Sequence, residues 1–300
     1  MPPEKPFIEQ EPLHIEDHSS DEHVLDRERR ARTLCQSGNH QAILENFRDP
    51  ENRPLLQEQI LRLRSDTRIR EKLSDIIPAL SPAHWEMLTL LELFDTETFH
   101  HCIRTYQIVE STHPIGNFLR SELEREGIPK TTLAIAALLH DVGKIGIPLK
   151  DLVLNNPLTD HEWHRLCIKH FCSQDRCDEG QAEITLNGKL TAGATHNLRE
   201  KDLVPFSCCL TPEQQNLLVR SGIDPDQTLG EIINTHQDFS GEIARAYGLD
   251  DTFVALVSNH HERPLNGEEP HPVSQSALRI ATILRFADVF DAIHSARTYK

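Results

Sequence analysis

Residues 131–144 read TTLAIAALLHDVGK, an aliphatic stretch that ends in an adjacent histidine and aspartate. A helix that is apolar on all sides is normally buried, so this stretch predicts a helix inside a larger fold. Helical spacing of apolar residues recurs in residues 97–110, 253–261 and 278–294, whereas strand-like alternation is almost absent. The sequence therefore predicts an all-α fold.

The composition agrees with that fold and excludes some functions. Hydrophobic residues make up 38% of the 300 residues and aromatic residues only 5%, which favours an aliphatic, helical interior. The formal net charge of −16 repels DNA, RNA and anionic membrane surfaces, so none of these is an expected partner. An anionic substrate requires cations placed locally, such as metal ions.

The chain divides into regions of different composition. Residues 1–22 are rich in Pro, Glu, Asp and Ser and predict a disordered tail. The pattern of residues 23–85 predicts an N-terminal helical region. We interpret this region as a small helical module or a dimerisation element. Residues 86–300 predict a second domain with an irregular insertion at about 172–229, where periodicity is weak. The N-terminal helices and the insertion are the candidate surfaces for a protein partner.

The N-terminus, MPPEKPFIEQ, lacks the apolar core of a signal peptide, and we expect a cytoplasmic protein with reduced thiols. The seven cysteines include Cys167, Cys172, Cys177 and the pair Cys208-Cys209. Their spacing does not match the Cys-x-x-Cys pairs of structural zinc sites, so we interpret them as free thiols rather than zinc ligands.

Candidate catalytic residues follow the aliphatic helix. His140 and Asp141 can direct an imidazole and a carboxylate into one cavity. Gly143 permits a tight turn or a close approach, and Lys144 offers a cation for a phosphate oxygen. Further upstream, Glu97 is followed by His100 and His101. On a helix, His100 lies about 60° around the axis from Glu97 and His101 about 40°, so geometry prefers His101 only slightly.

Other metal-ligand types occur later in the chain: His236, the pair His260-His261, and the aspartates Asp288 and Asp291. The two aspartates are spaced about one helical turn apart in an apolar segment. Burying a carboxylate is costly unless it is paired or bound to metal, so we expect at least one of them to be a ligand.

Taken together, these segments resemble the HD superfamily of metal-dependent phosphohydrolases, and within it the HD-GYP phosphodiesterases that hydrolyse cyclic di-GMP. The resemblance covers roughly residues 90–300 without the insertion. The segments that carry it are Glu97-x-x-x-His101-x-x-Arg104, His140 to Pro148, Thr235-His236, His260 to Arg263, Arg279 to Ala292, and Arg297-Thr298-Tyr299.

The resemblance implies an all-α HD-domain helical bundle and a set of metal ligands. It selects His101 over His100, and the implied ligands are Glu97, His101, His140, Asp141, His236, His260, His261 and Asp288. They would hold two divalent ions, or three if Glu97 and the middle histidines extend the cluster. Iron or manganese suits this mixed set of imidazoles and carboxylates. Asp141, bridging the ions, and Lys144 would be the catalytic residues, with a bridging hydroxide attacking the phosphorus of a cyclic dinucleotide.

Two departures leave alternatives open. Residues 264–270 read PLNGEEP where the family has Gly-Tyr-Pro, which puts the cyclic di-GMP substrate and any partner contact through this loop in doubt. Another nucleotide substrate, or a catalytically silent nucleotide sensor, is therefore an alternative. The second departure is the insertion, which lengthens the chain before His236. His170, 30 residues after His140 (170 − 140), is therefore a rival for the role of the middle histidine. We prefer His236 because it precedes His260 by 24 residues (260 − 236), close to the family spacing.

Overall fold

The structure is a computed structural model that describes residues 21–36, 39–111, 121, 124–125, 127–155, 157–192, 199–261 and 275–295. All regular elements in these residues are helices, and no β-strand occurs among them. The predicted all-α fold is confirmed. Most of the predicted tail, residues 1–22, lies outside the described residues. Its last two residues, Asp21 and Glu22, already belong to the first helix.

Four helices form the N-terminal region: α1 (Asp21–Cys35), α2 (His40–Arg48), α3 (Arg53–Ser65) and α4 (Thr67–Lys72). Helices α1 and α3 pack on α5 (Pro82–Phe94), where nine residues from Trp85 to Phe94 are buried. Arg32 and Arg62 both bind the carboxylate of Glu92 on α5, at 2.9 Å and 3.0 Å. The N-terminal helices therefore share one hydrophobic core with the helices that follow them.

The centre of the molecule is built on α7 (Lys130–Leu139), whose residues from Leu133 to Leu139 are all buried. Each fully buried leucine there stabilises the fold by roughly 1.5–3 kcal/mol. Around it lie α6 (Thr96–Glu110), a 3-10 turn (Val142–Gly146), α13 (His236–Ala246), α14 (Asp251–Ser258) and α15 (Gln275–His294). Helix α6 packs on α7, α13 packs on the 3-10 turn, and α15 packs on both α6 and α14.

Between the 3-10 turn and α13, the described residues form five further α-helices: α8 (Lys150–Val153), α9 (Asp160–Asp175), α10 (Glu179–Ala192), α11 (Pro212–Arg220) and α12 (Leu229–Asn234). The prediction of an irregular segment at 172–229 was wrong, because α10 and α11 lie inside it. Helix α10 has only a narrow apolar face: Ala182 and Leu186 are buried and Leu190 is partly buried, but Ile184 is 66% exposed. This helix packs against α9.

Hydropathy along the described helices gives no membrane-spanning candidate, since none of them is both long and apolar enough to cross a bilayer. None of the seven cysteines forms a disulfide.

Candidate metal centre

Five helical segments bring potential metal ligands together in the interior. Helix α6 carries His101, the end of α7 carries His140 and Asp141, and the start of α13 carries His236. The turn after α14 carries His260 and His261, and α15 carries Asp288. Donor atoms within 4.8 Å of one another form two groups: His101, His140 and Asp141 in one, and His236, His260 and His261 in the other.

Asp141 lies between the two groups, with one carboxylate oxygen directed to each. Its Oδ2 is 3.7 Å from Nε2 of His101 and 3.5 Å from Nε2 of His140. Its Oδ1 is 3.1 Å from Nε2 of His236 and 4.0 Å from Nε2 of His260. One carboxylate is therefore within reach of both groups, and it would be able to serve two neighbouring cations.

Asp288 adds a second carboxylate beside the first group. Its Oδ1 lies 2.8 Å from Nε2 of His101 and 3.9 Å from Nε2 of His140. The neighbouring histidines contribute to holding the pKa of Asp288 well below its usual value, although burial acts in the opposite direction. Asp288 is therefore ionised and able to act as a ligand.

Three of the histidines are oriented in the same way. Nδ1 of His140, His236 and His260 donates to the carbonyl oxygen three residues earlier in the chain, at 2.9, 2.5 and 2.8 Å respectively. A carbonyl can only accept, so Nδ1 carries a proton in each of the three rings and Nε2 is the ring nitrogen that faces the centre. Such hydrogen bonds behind a ligand fix both the tautomer and the ring orientation of metal-binding histidines.

His101 is oriented by a carboxylate instead. Its Nδ1 is 2.6 Å from Oδ2 of Asp291, and Nε of Arg104 binds the other oxygen of Asp291 at 2.8 Å. The two aspartates of α15 thus have different positions: Asp288 lies inside the cluster, and Asp291 lies behind His101. Pairing with His101 and Arg104 lowers the pKa of Asp291, although burial opposes this.

Two buried nitrogen atoms indicate that a cation fits here. Nε2 of His101 and Nε2 of His140 are buried without a hydrogen-bond partner. The first approaches Asp288 closely but lacks the alignment of a hydrogen bond. Buried polar atoms are nearly always satisfied, because leaving one unpaired costs about 1–3 kcal/mol. Imidazole and carboxylate donors converging on one buried point therefore suit a divalent metal ion.

The charge states of the cluster favour metal binding to the second group near neutral pH. Burial, together with the neighbouring His236, lowers the pKa of His261 to about 4. Burial and the adjacent His261 also hold the pKa of His260 well below its usual value. Both imidazoles are consequently neutral and available as ligands at pH 7.

Lys144 lies at the edge of the cluster, with its Nζ 2.7 Å from Oδ2 of Asp141. Burial raises the pKa of Asp141, but Lys144 and His140 outweigh it and hold that pKa well below the usual value. Asp141 is therefore a carboxylate, with a fixed cation beside it.

Of the eight predicted ligands, two lie outside both groups: Asp288, which contacts His101 of the first group, and Glu97. Glu97 lies in the first turn of α6, one turn before His101, and its side chain is exposed. Its role as a ligand stays a prediction. The rival histidines also lie elsewhere: His100 packs against the ring of Phe99, and His170 on α9 lies 3.7 Å from the sulfur of Cys208.

The cysteines from Cys167 onward lie on or just after α9, or in the 3-10 helix Phe206–Cys209. Cys167 is buried and contacts the carbonyl of Glu200, whereas Cys208 is exposed. Among the described residues, no group of three metal-ligand side chains includes a cysteine.

No motif in the sequence indicates the two residues that hold the backbone of His261. Oε1 of Gln237 accepts from the amide of His261 at 3.1 Å, and Nη1 of Arg285 donates to its carbonyl at 3.1 Å. These contacts join α13 and α15 to the turn that carries His261, and only the tertiary fold reveals them.

Comparison of the chain with protein-family models, with curated proteins and with solved structures found no match.

Proposed function

We propose that this chain is a metal-dependent phosphodiesterase of the HD type that hydrolyses a cyclic dinucleotide, with cyclic di-GMP as the leading substrate. The observation that carries the proposal is Asp141, which directs one oxygen to each of two histidine groups. A site for two neighbouring cations is suited to phosphate-ester hydrolysis, because it can serve both the attacking and the leaving oxygen.

Bound iron or manganese ions would supply an activated water and neutralise charge on the phosphate. His101, His140, Asp141 and Asp288 would hold one ion, and His236, His260 and His261 the other, with Asp141 shared between them. The Nδ1–carbonyl hydrogen bonds keep the imidazoles in position. Lys144, already beside Asp141, would bind a phosphate oxygen of the substrate.

The first experiment measures metal content and hydrolysis together. Wild-type protein purified with Mn²⁺ or Fe²⁺ should hold about two ions per chain, as expected for a two-metal site, and hydrolyse cyclic di-GMP. His140→Ala and Asp141→Ala should lose both properties, since each removes a donor from the cluster. His170→Ala is the matched control, because this rival histidine lies outside the cluster and should retain metal and activity.

The substrate is tested in the same assay, because residues 264–270 lack the family's Gly-Tyr-Pro. Turnover of another cyclic dinucleotide or of a nucleoside phosphate, with cyclic di-GMP untouched, would keep the phosphohydrolase and replace its substrate. Metal binding without any turnover, but with nucleotide binding, would indicate a silent sensor. Full metal content and activity in Asp141→Ala would refute the proposed site.

A further inference from the structure

Ser240 lies on α13 one helical turn after His236, and its side chain is completely buried. Its hydroxyl makes two hydrogen bonds to a different part of the chain. Oγ donates to the carbonyl of His140 at 2.7 Å and accepts from the amide of Gly143 at 2.9 Å. One side chain therefore spans the turn that contains His140 and Asp141.

The backbones of α13 and this turn are in unusually close contact. A Cβ atom built on Gly143 would lie 1.9 Å from the carbonyl oxygen of His236 and 2.3 Å from the amide nitrogen of Ser240. Only glycine permits this approach. Close packing sets how near the two segments lie, and the hydroxyl of Ser240 adds directional bonds that fix their register.

These two segments carry ligands from different groups. His236 belongs to the group with His260 and His261, and the turn supplies His140 and Asp141. The distance between Oδ1 of Asp141 and Nε2 of His236 is 3.1 Å. Any shift of the turn relative to α13 changes this distance, and so alters the position of Asp141 between the two histidine groups.

We propose that Ser240 is a positioning residue, whose hydroxyl aligns the His140-Asp141 turn with His236 so that Asp141 can bridge both metal ions. This inference rests on the proposed function and extends it to a residue that is not itself a ligand. The partners behind metal ligands typically contribute about 10–100-fold to metal affinity, and we expect the loss of this hydroxyl to fall in that range.

The test compares Ser240→Ala with Ser258→Ala. Ser258 is a matched control: it lies on the adjacent α14, and its Oγ is buried without a hydrogen-bond partner. Mn²⁺ affinity would be measured by competition with a chelator, and the melting temperature would be recorded with and without Mn²⁺. We expect Ser240→Ala to bind Mn²⁺ about 10–100-fold more weakly and to show a smaller metal-induced rise in melting temperature, with Ser258→Ala equal to wild type.

A purely structural role predicts a different result: Ser240→Ala would melt earlier without metal, but its Mn²⁺ affinity would be unchanged. That result, or an equal loss of affinity in both variants, would overturn the inference. Ser240→Cys keeps a weak donor of similar shape and should give an intermediate affinity, which preserves the test if Ser240→Ala fails to fold. A wild-type protein that binds neither Mn²⁺ nor Fe²⁺ would refute the proposed function itself, and the inference with it.

Discussion

Replacing Asp291 with alanine should damage the centre without removing any of the proposed metal ligands. The side chain of Asp291 is only 6% exposed and holds Nδ1 of His101 on one side and the guanidinium of Arg104 on the other. A buried hydrogen bond to a charged group contributes about 1.5–3 kcal/mol. The ion pair with the more exposed Arg104 adds about 0–1 kcal/mol. The expected loss of stability is therefore about 2–4 kcal/mol.

The assay is urea unfolding of metal-free Asp291→Ala, followed by a measurement of Mn²⁺ affinity. Affinity should fall about 10–100-fold, because His101 loses the carboxylate that orients its ring. Arg104→Ala is the control: it removes only the exposed partner and should lower stability by no more than about 1 kcal/mol. If Asp291→Ala unfolds within about 0.5 kcal/mol of wild type, as an ordinary surface substitution does, the pairing has no energetic role.

Two further predictions concern the backbone that carries the site. Asp95→Ala should lower stability by about 1 kcal/mol or somewhat more, because Asp95 caps the helix of His101 and binds Lys150. Hydrogen bonds to Thr98 and Lys150 outweigh burial and lower the pKa of Asp95. Its contribution should therefore be present above the unfolded pKa and lost as pH falls through the lower folded value, which urea unfolding at several pH values can follow. Gly143→Ala should abolish metal binding or folding, since a Cβ there overlaps backbone atoms. By contrast, a Cβ at Gly188 on α10 meets nothing within 4 Å, so Gly188→Ala should stabilise the protein by roughly 0.5–1 kcal/mol in thermal unfolding.

The helical fold was predictable because its strongest signal is local. The segment from Leu133 to Leu139 is apolar on every side. A helix of that kind is buried in the folded protein, so its burial can be predicted without knowing the tertiary contacts. The same reasoning failed for α10, because its apolar face is narrow: Ala182 and Leu186 are buried and Leu190 is partly buried, whereas Ile184 is 66% exposed. With so few apolar residues the helical period is weak in the sequence, although this face packs against α9.

The ligand candidates could be proposed from the sequence for a related reason. A histidine or aspartate in an apolar helix has a high cost of burial, so its presence indicates a compensating partner. This argument reached Asp288 and Asp291 together but could not separate them. Both carboxylates reach His101, but Asp288 lies beside Nε2 and Asp291 beside Nδ1, and that difference depends on how α15 packs against α6.

The choice between His236 and His170 shows where local sequence ends and geometry begins. Both histidines follow similar short segments, and His236 was preferred for its spacing to His260, the Thr before it and the Gly-Glu-Ile after it. In the structure the difference arises from α13, which packs on the turn after α7 through the contact at Gly143, and so brings His236 to within 3.1 Å of Asp141. His170 lies on α9, in the layer formed with α10, where its neighbour is Cys208. Gly143 and Ser240, neither of which is a proposed ligand, thus account for why His236 rather than His170 reaches the centre. The sequence indicates a close approach at Gly143 but not the segment that approaches it, because that partner depends on the tertiary fold.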